Sequence, residues 1–325
     1  MAKVRTARHR HGGGVGGRLG GVILLASPGQ GAQTPGFLQP WSELPGVADR
    51  LAWWSAVTGL DLVRYGTSAD AEEIRDTAVA QPLLVAAALA AAEALFEDGA
   101  PDAVAGHSVG ELAAAAIAGV LTPEAALVLV RERGRAMAEA AAVTETGMTA
   151  VLGGDADEVL AAIDKHGLTP ANVNGAGQVV AAGSMDRLAA FADEPPAKAR
   201  LRPLSVAGAF HTEHMAPAVD TLRRLAPGAP VADPRATLLQ NRDGAVVTSG
   251  RDFVARLVEQ VSAPVRWDAC MATMREIGVT AIIELPPAGT LTGLARRELK
   301  GVELLALKTP DDLEKARELI KAHAS

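Results

Sequence analysis

The chain predicts an α/β protein: a large domain on a parallel sheet, with a small α+β unit inserted into it. Three observations lead there. Short, wholly apolar runs such as Val22-Ile23-Leu24-Leu25-Ala26 read as strands buried on both faces, the habit of parallel sheets. Several such runs lead through a Gly-rich turn into a helical pattern, the order of a strand–helix–strand unit. Near Gly147 the character changes, and a smaller alternation of strands and helices occupies residues 147–207.

The elements follow in order. After the Val22–Ala26 strand and its Gly-rich loop, Leu44–Thr58 is helix-like, and Asp70–Arg75 follows. Gln81-Pro82 opens an apolar helix to Phe96, with proline at the helix start where its missing N–H costs nothing. Gly99-Ala-Pro-Asp is a turn, Ala103–Ala105 a strand, and Ser108–Ala118 the helix behind it. Thr122 caps the next helix and Pro123 sits in its first turn; it runs to about Ala142. In the small unit, Met148–Leu152, Gln178–Ala182 and Leu201–Val206 are strands, while Ala156–His166 and Met185–Ala192 are helices. An Asn/Gly loop precedes the middle strand. That β-α-β-α-β order suggests a ferredoxin-like subdomain. The large domain then comprises residues 22–146 and 208–325. Its late strands are Ile282–Leu285 and Leu304–Leu307, and a helix over about Asp311–His323 closes it.

Composition narrows the class. Hydrophobic residues make up 49% and charged residues 21% of 325, a balance that builds a core and excludes a disordered chain. Residues 1–21 carry Lys3, Arg5, Arg8, Arg10 and Arg18, no acid and seven glycines, and read as a disordered basic tail. With a total of −7, the rest of the chain sums to about −12, which excludes nucleic-acid binding through the overall field. Cys270 is the sole cysteine, so no intrachain disulfide forms. No clean apolar run spans a membrane: Glu93 interrupts one candidate, and Pro123 with Glu124 the other. The five-residue apolar run before Ser27 is too short for a signal peptide. A cytoplasmic monomer is expected, with no metal ion and no bound cofactor.

The chemistry centres on Gly106-His107-Ser108-Val109-Gly110, a G-x-S-x-G between a strand and a helix. In that setting the flanking glycines let the backbone turn sharply, so that the Ser108 hydroxyl stands clear at a helix N-terminus. The plainer alternative is a turn in which Ser108 caps the helix. A serine nucleophile needs a base. His9 and His11 lie in the tail, His323 lies at the far end, and His166 reads as a helix C-cap. His107 adjoins Ser108, but adjacent side chains diverge at a tight turn. His211 and His214 remain; His211 lies in a loop after a strand, where catalytic groups of α/β proteins gather. His214 reads as a surface residue of a first helical turn. No Asp or Glu is nominated as a third member. The first Gly-rich loop, Pro28-Gly29-Gln30-Gly31-Ala32-Gln33, is neither a dinucleotide nor a phosphate-loop pattern.

Pro28-Gly29-Gln30-Gly31-Ala32-Gln33 together with Gly106-His107-Ser108-Val109-Gly110-Glu111 resembles the malonyl-CoA:acyl carrier protein transacylase family, relatives of polyketide synthase acyltransferase domains. Further motifs share the resemblance: Arg133-Gly134-Arg135-Ala136-Met137, Phe210-His211-Thr212-Glu213-His214-Met215, and Glu284-Leu-Pro-Pro-Ala-Gly-Thr-Leu-Thr292. Asn172-Val-Asn174-Gly-Ala-Gly-Gln178 departs from the family's pattern, with Ala176 in place of proline.

The resemblance implies an α/β-hydrolase-like large domain and a set of roles. Ser108 and His211 would be nucleophile and base. The backbone N–H groups of Gln30 and Val109 would form the oxyanion hole. Arg133 would grip the free carboxylate of malonyl; a guanidinium is always charged and forks onto a carboxylate. Arg131 and Arg135 point to other helix faces, and the charge run also has the reading of a solvated face. Gln260, Phe210, Met137 and Asn174 would complete substrate binding, with a backbone carbonyl near Gln260 holding the His211 ring. Gln260 as an ordinary polar residue near a helix end stays open. Phe210 goes with malonyl more than methylmalonyl. The substrates implied are malonyl-CoA, a coenzyme A thioester, and the phosphopantetheine arm of a transiently bound acyl carrier protein. A serine esterase or lipase using the same elbow is the alternative.

Overall fold

The computed structural model describes residues 20–96, 99–175 and 177–323. The tail expected over residues 1–21 lies outside the described residues, except Gly20 and Gly21. In chain order the strands are β1 (Val22–Ser27), β2 (Ala103–Gly106), β3 (Thr146–Gly153), β4 (Thr169–Gly175), β5 (Gln178–Ser184), β6 (Ala199–Pro203), β7 (Thr237–Leu238), β8 (Val265–Arg266), β9 (Val279–Glu284) and β10 (Glu303–Ala306).

The main sheet runs β10-β9-β1-β2-β7, and every pairing in it is parallel. Alternation along β1 shows why the sheet needs cover on both sides. Ile23 and Leu25 pack into one core cluster, and Leu24 and Ala26 into another. Helices Thr77–Leu95, Gly110–Ile117 and Pro123–Ala141 supply the first cluster; Trp267–Glu276 and Thr290–Glu298 supply the second. At the end of β9, buried Glu284 accepts from the N–H groups of Gly289, Leu291 and Thr292, so a carboxylate anchors the start of the Thr290–Glu298 helix.

The helix expected to open at Gln81-Pro82 starts a turn earlier, at Thr77. Asp76 is its N-cap, with Oδ1 accepting from Ala78 N at 2.8 Å, and Pro82 lies inside it. Proline has no N–H for the carbonyl four residues back, that of Ala78. Arg131 Nη1 reaches that carbonyl at 3.4 Å instead. Glu93 does not disqualify this helix: by length and composition it could cross a membrane, and here it is mostly buried inside the protein. It packs against Pro123–Ala141, whose Thr122 cap and leading Pro123 are as expected. Gly134 is what lets the two approach: a Cβ there would sit 2.9 Å from Thr77 O.

The second sheet runs β6-β3-β5-β4, all antiparallel, and β8 adds in parallel beside β4. Here the sequence reading missed a strand: β4 occupies the expected Asn/Gly loop, giving β-α-β-β-α-β. Thr169-Pro-Ala-Asn-Val-Asn-Gly175 lacks apolar alternation because two of its buried positions are Asn172 and Asn174. Its register also slips on either side of Asn172–Val173. β6 stops at Pro203, short of the expected Val206. Helices Ala156–Lys165 and Met185–Asp193 cover one face through Val159, Ile163, Leu188 and Phe191. The other face, with Met148, Ala150, Ala171 and Val180, merges with the main core. The site lies in this seam, at the carboxyl ends of β1 and β2.

Candidate active site

The turn after β2 places Ser108 at the head of the Gly110–Ile117 helix. Its strain is carried by the serine, not the glycines. Ser108 has φ 53°, a left-handed conformation that costs a non-glycine residue about 1–3 kcal/mol. Neither Gly106 nor Gly110 has positive φ; both are required by contact. A Cβ at 106 would overlap the Gly110 carbonyl, and one at 110 would overlap the Ser27 carbonyl. Asn241 holds the elbow from outside: its Oδ1 accepts from Ser108 N at 2.7 Å and its Nδ2 donates to Gly106 O at 2.7 Å.

His211, also at positive φ (60°), brings Nε2 to 2.7 Å from Ser108 Oγ. Its Nδ1 lies 2.8 Å from the main-chain oxygen of Gln260. A carbonyl accepts only, so Nδ1 carries the hydrogen and Nε2 presents a lone pair to the hydroxyl. Burial, and after it the nearby Arg133 cation, hold the imidazole down to about 3, so it stays neutral. His107, as expected, turns from Ser108: its Nε2 pairs with Asn174 Oδ1 at 2.8 Å and its ring meets Trp267 edge-on. His214 makes no bond to Ser108, and His166 caps its helix.

Arg133 is 1% exposed. Nη1 donates to Gln81 Oε1 at 2.5 Å, and Nη2 donates to Gln260 Oε1 at 2.9 Å and lies 3.4 Å from Ser108 Oγ. Burial lowers its pKa to about 10, so it remains a cation at neutral pH. Among the described residues no carboxylate lies within ion-pair distance of it. Two neutral amides therefore aim the cation without cancelling its charge. Arg131 instead binds the carbonyls of Thr58 and Ala78, and Arg135 pairs with Glu132 at the surface.

A cavity of about 100 Å³ opens on this group, lined by Gln30, Ser108, Val109, Arg133, His211 and an apolar wall that includes Met137, Leu204 and Phe210. The backbone N–H groups of Gln30 and Val109 take no partner among the described residues. The Gln30 side chain is turned to Thr77 Oγ1 and Arg75 O, both at 3.4 Å. Asn172, not Asn174, reaches the cavity wall; Asn174 meets the site only through His107. Gln81, Asn241 and Glu111 went unassigned in the sequence. Neutral amides in turns and helices leave no periodic trace, whereas Glu111 in the elbow helix was signalled by being 2% exposed only once folded.

Comparison with known proteins agrees with this arrangement. The acyl transferase domain family matches residues 46–315. The malonyl CoA-acyl carrier protein transacylase of Mycobacterium bovis is 55% identical over 302 residues, covering 92% of this chain and all of the relative. That of Bacillus subtilis is 34% identical over 311 residues, covering 92% and 97%. The crystal structure of the Mycobacterium tuberculosis enzyme superposes with a TM-score of 0.88 at 55% identity, covering 91% of this chain and 99% of that one. A malonyl-transacylase solved in complex with its type II polyketide synthase acyl carrier protein superposes at 0.87 with 32% identity, covering 92% and 99%. With the elbow, the imidazole and the buried guanidinium arranged around one cavity, the chain belongs to the malonyl CoA-acyl carrier protein transacylase family.

Proposed function

We propose that the chain transfers a malonyl group from malonyl-CoA to the phosphopantetheine thiol of an acyl carrier protein, through a malonyl-Ser108 ester. In the first half-reaction Ser108 Oγ attacks the thioester carbonyl while His211 Nε2 takes its proton. The oxyanion falls between the N–H groups of Gln30 and Val109. The coenzyme A thiolate leaves and takes the proton from His211. The carrier-protein thiol then repeats the sequence in reverse, giving up its proton to His211 and attacking the ester. Ser108 and His211 act as a dyad, with the Gln260 carbonyl orienting the ring. Phe210 and Met137 close the apolar side of the cavity beside the acyl group. The scheme invokes no metal ion and no bound cofactor.

The observation that carries this reading is the buried charge of Arg133 beside Ser108, which no carboxylate among the described residues touches directly. A site that keeps a desolvated cation needs an anion from its substrate, and a malonyl carboxylate supplies one. A simple ester hydrolase gives that cation nothing to do. The reading includes a cytoplasmic monomer serving fatty acid or polyketide synthesis; the lone thiol of Cys270, buried, suits a reducing compartment. Exposed Arg296, Arg297 and Lys300 are the cations we put forward to meet an acidic carrier protein. The test is product partition. With malonyl-CoA and holo carrier protein, malonyl carrier protein should form in large excess over free malonate. Malonate as the main product would replace transfer with hydrolysis.

A further inference from the structure

Glu111 follows the elbow by one residue and is 2% exposed, yet it has no part in the transfer chemistry above. Both its oxygens are taken, Oε1 by the N–H of Asn241 and Oε2 by Nε2 of Gln260, at 2.5 Å each. The Gln260 amide is thereby read from two ends. Arg133 has only donors and demands an oxygen; a Glu111 carboxylate has only acceptors and demands the NH2. The same NH2 donates to Ser108 O at 3.1 Å, and the Gln260 main chain holds His211. One amide thus ties nucleophile, base and cation together, and Glu111 anchors its NH2 end.

We propose that Glu111 is a positioning residue for the transfer reaction, which rests on the reading above: its ionised carboxylate fixes the Gln260 amide, and through it Arg133, Ser108 and His211. Protonated, Glu111 would set a hydrogen against one of its two donors, the Asn241 N–H or the Gln260 NH2, and the hold on the amide would loosen.

The charged and titratable groups around Glu111 are Arg133 across Gln260, Asp243 in the turn after Asn241, and Cys270 on the Trp267–Glu276 helix. Burial pushes Glu111 up to about 8, while Asn241, Gln260 and Arg133 oppose the rise. A second cavity, of about 280 Å³, reaches Glu111 and Gln260 and is bordered by Arg242, Arg256 and Glu259. Its lining shares with the substrate cavity neither Ser108 nor His211. Solvent protons therefore reach Glu111 without passing the acyl group.

The test is the pH profile of Ser108 acylation by malonyl-CoA in single turnover, from pH 6 to 9. Wild type should rise about tenfold per unit at the acid end and level near pH 8. Glu111→Gln should acylate at least about tenfold more slowly than the wild-type plateau, with a flat profile. Glu111→Asp, which keeps the charge, should recover part of the rate and restore the slope. A flat wild-type profile, or the same limb persisting in Glu111→Gln, overturns the proposal while leaving the transfer reading intact. The wild-type measurement does not depend on any variant folding. A wild type that forms no acyl-enzyme at any pH would overturn both.

Discussion

The ring of His211 is steadied by the main-chain oxygen of Gln260, 2.8 Å from Nδ1, where a carboxylate stands in many serine enzymes. A carbonyl fixes the tautomer but adds no charge. The imidazole is therefore positioned as an acceptor for Ser108 without being made a strong base, in keeping with the low pKa that burial, and after it Arg133, imposes.

Removing either partner should separate their roles. Ser108→Ala should end acyl-enzyme formation and lower kcat by about 10⁶-fold. His211→Ala should slow acylation by about 10²–10⁴-fold. His214→Ala should behave as wild type, because His214 makes no contact with Ser108. Single-turnover rates of the three variants check this; an inactive His214→Ala beside a normal His211→Ala would reassign the base.

Three buried groups around the elbow, His211, His107 and Glu111, give stability a defined pH dependence. His211 is lowered from 6.5 to about 3, so between these values the unfolded chain binds a proton that the folded one refuses, and stability falls as pH falls. Glu111 is raised from 4.5 to about 8, so across that window the folded chain holds the extra proton, and stability falls as pH rises. Below pH 6.5 His107, lowered by its burial, adds to the His211 slope, and together they outweigh the opposing Glu111 slope. Stability should therefore be greatest near pH 6.5 and fall toward acid and toward pH 8, by up to about 1.4 kcal/mol per unit from each group. Urea unfolding at half-unit steps would show it, and a maximum at pH 8 would contradict it.

Arg133→Ala should change substrate preference. Losing a hydrogen bond to a charged group costs about 1.5–3 kcal/mol, so malonyl transfer should fall at least about 10-fold to 100-fold. Acetyl transfer should hold or rise, since acetyl leaves a buried cation unpaired in the wild type. The check is kcat/KM for both thioesters in both proteins; equal losses would make Arg133 structural.

Gly134→Ala tests the helix contact that carries Arg133. The added methyl would press on Thr77 O at 2.9 Å. Overpacking of this kind costs about 1–3 kcal/mol. Thermal melting should drop, and the ratio of malonyl to acetyl transfer should drop with it, because Arg133 moves with the backbone of its neighbour. Unchanged melting would show that the helices part freely here.

Much of this was legible in the chain. Apolar runs marked β1, β2 and β9, because a sheet covered on both faces leaves no room for polar residues. Ser108 stood in a strand–turn–helix motif and His211 in a loop after a strand, whereas Arg133 was marked by the family resemblance of Arg133-Gly134-Arg135-Ala136-Met137. What escaped did so for physical reasons. β4 hides because Asn172 and Asn174 fill buried positions where a strand ordinarily shows apolar residues. The helix around Pro82 begins early because Asp76 caps it, and because Arg131, from another helix, serves the carbonyl that proline abandons. The elbow glycines are set by neighbouring carbonyls, a long-range matter that local turn chemistry does not reveal. Gln81 reaches Arg133 and Asn241 reaches Ser108 across 52 and 133 residues of chain.

The central claim is a malonyl group carried on Ser108, and intact mass spectrometry tests it most directly. After mixing with malonyl-CoA, the protein should gain one malonyl group, mapped by peptide digestion to the segment holding Ser108. Adding holo carrier protein should discharge the adduct and load the carrier. An adduct on another residue, or one that holo carrier protein leaves in place while water removes it, would contradict the account.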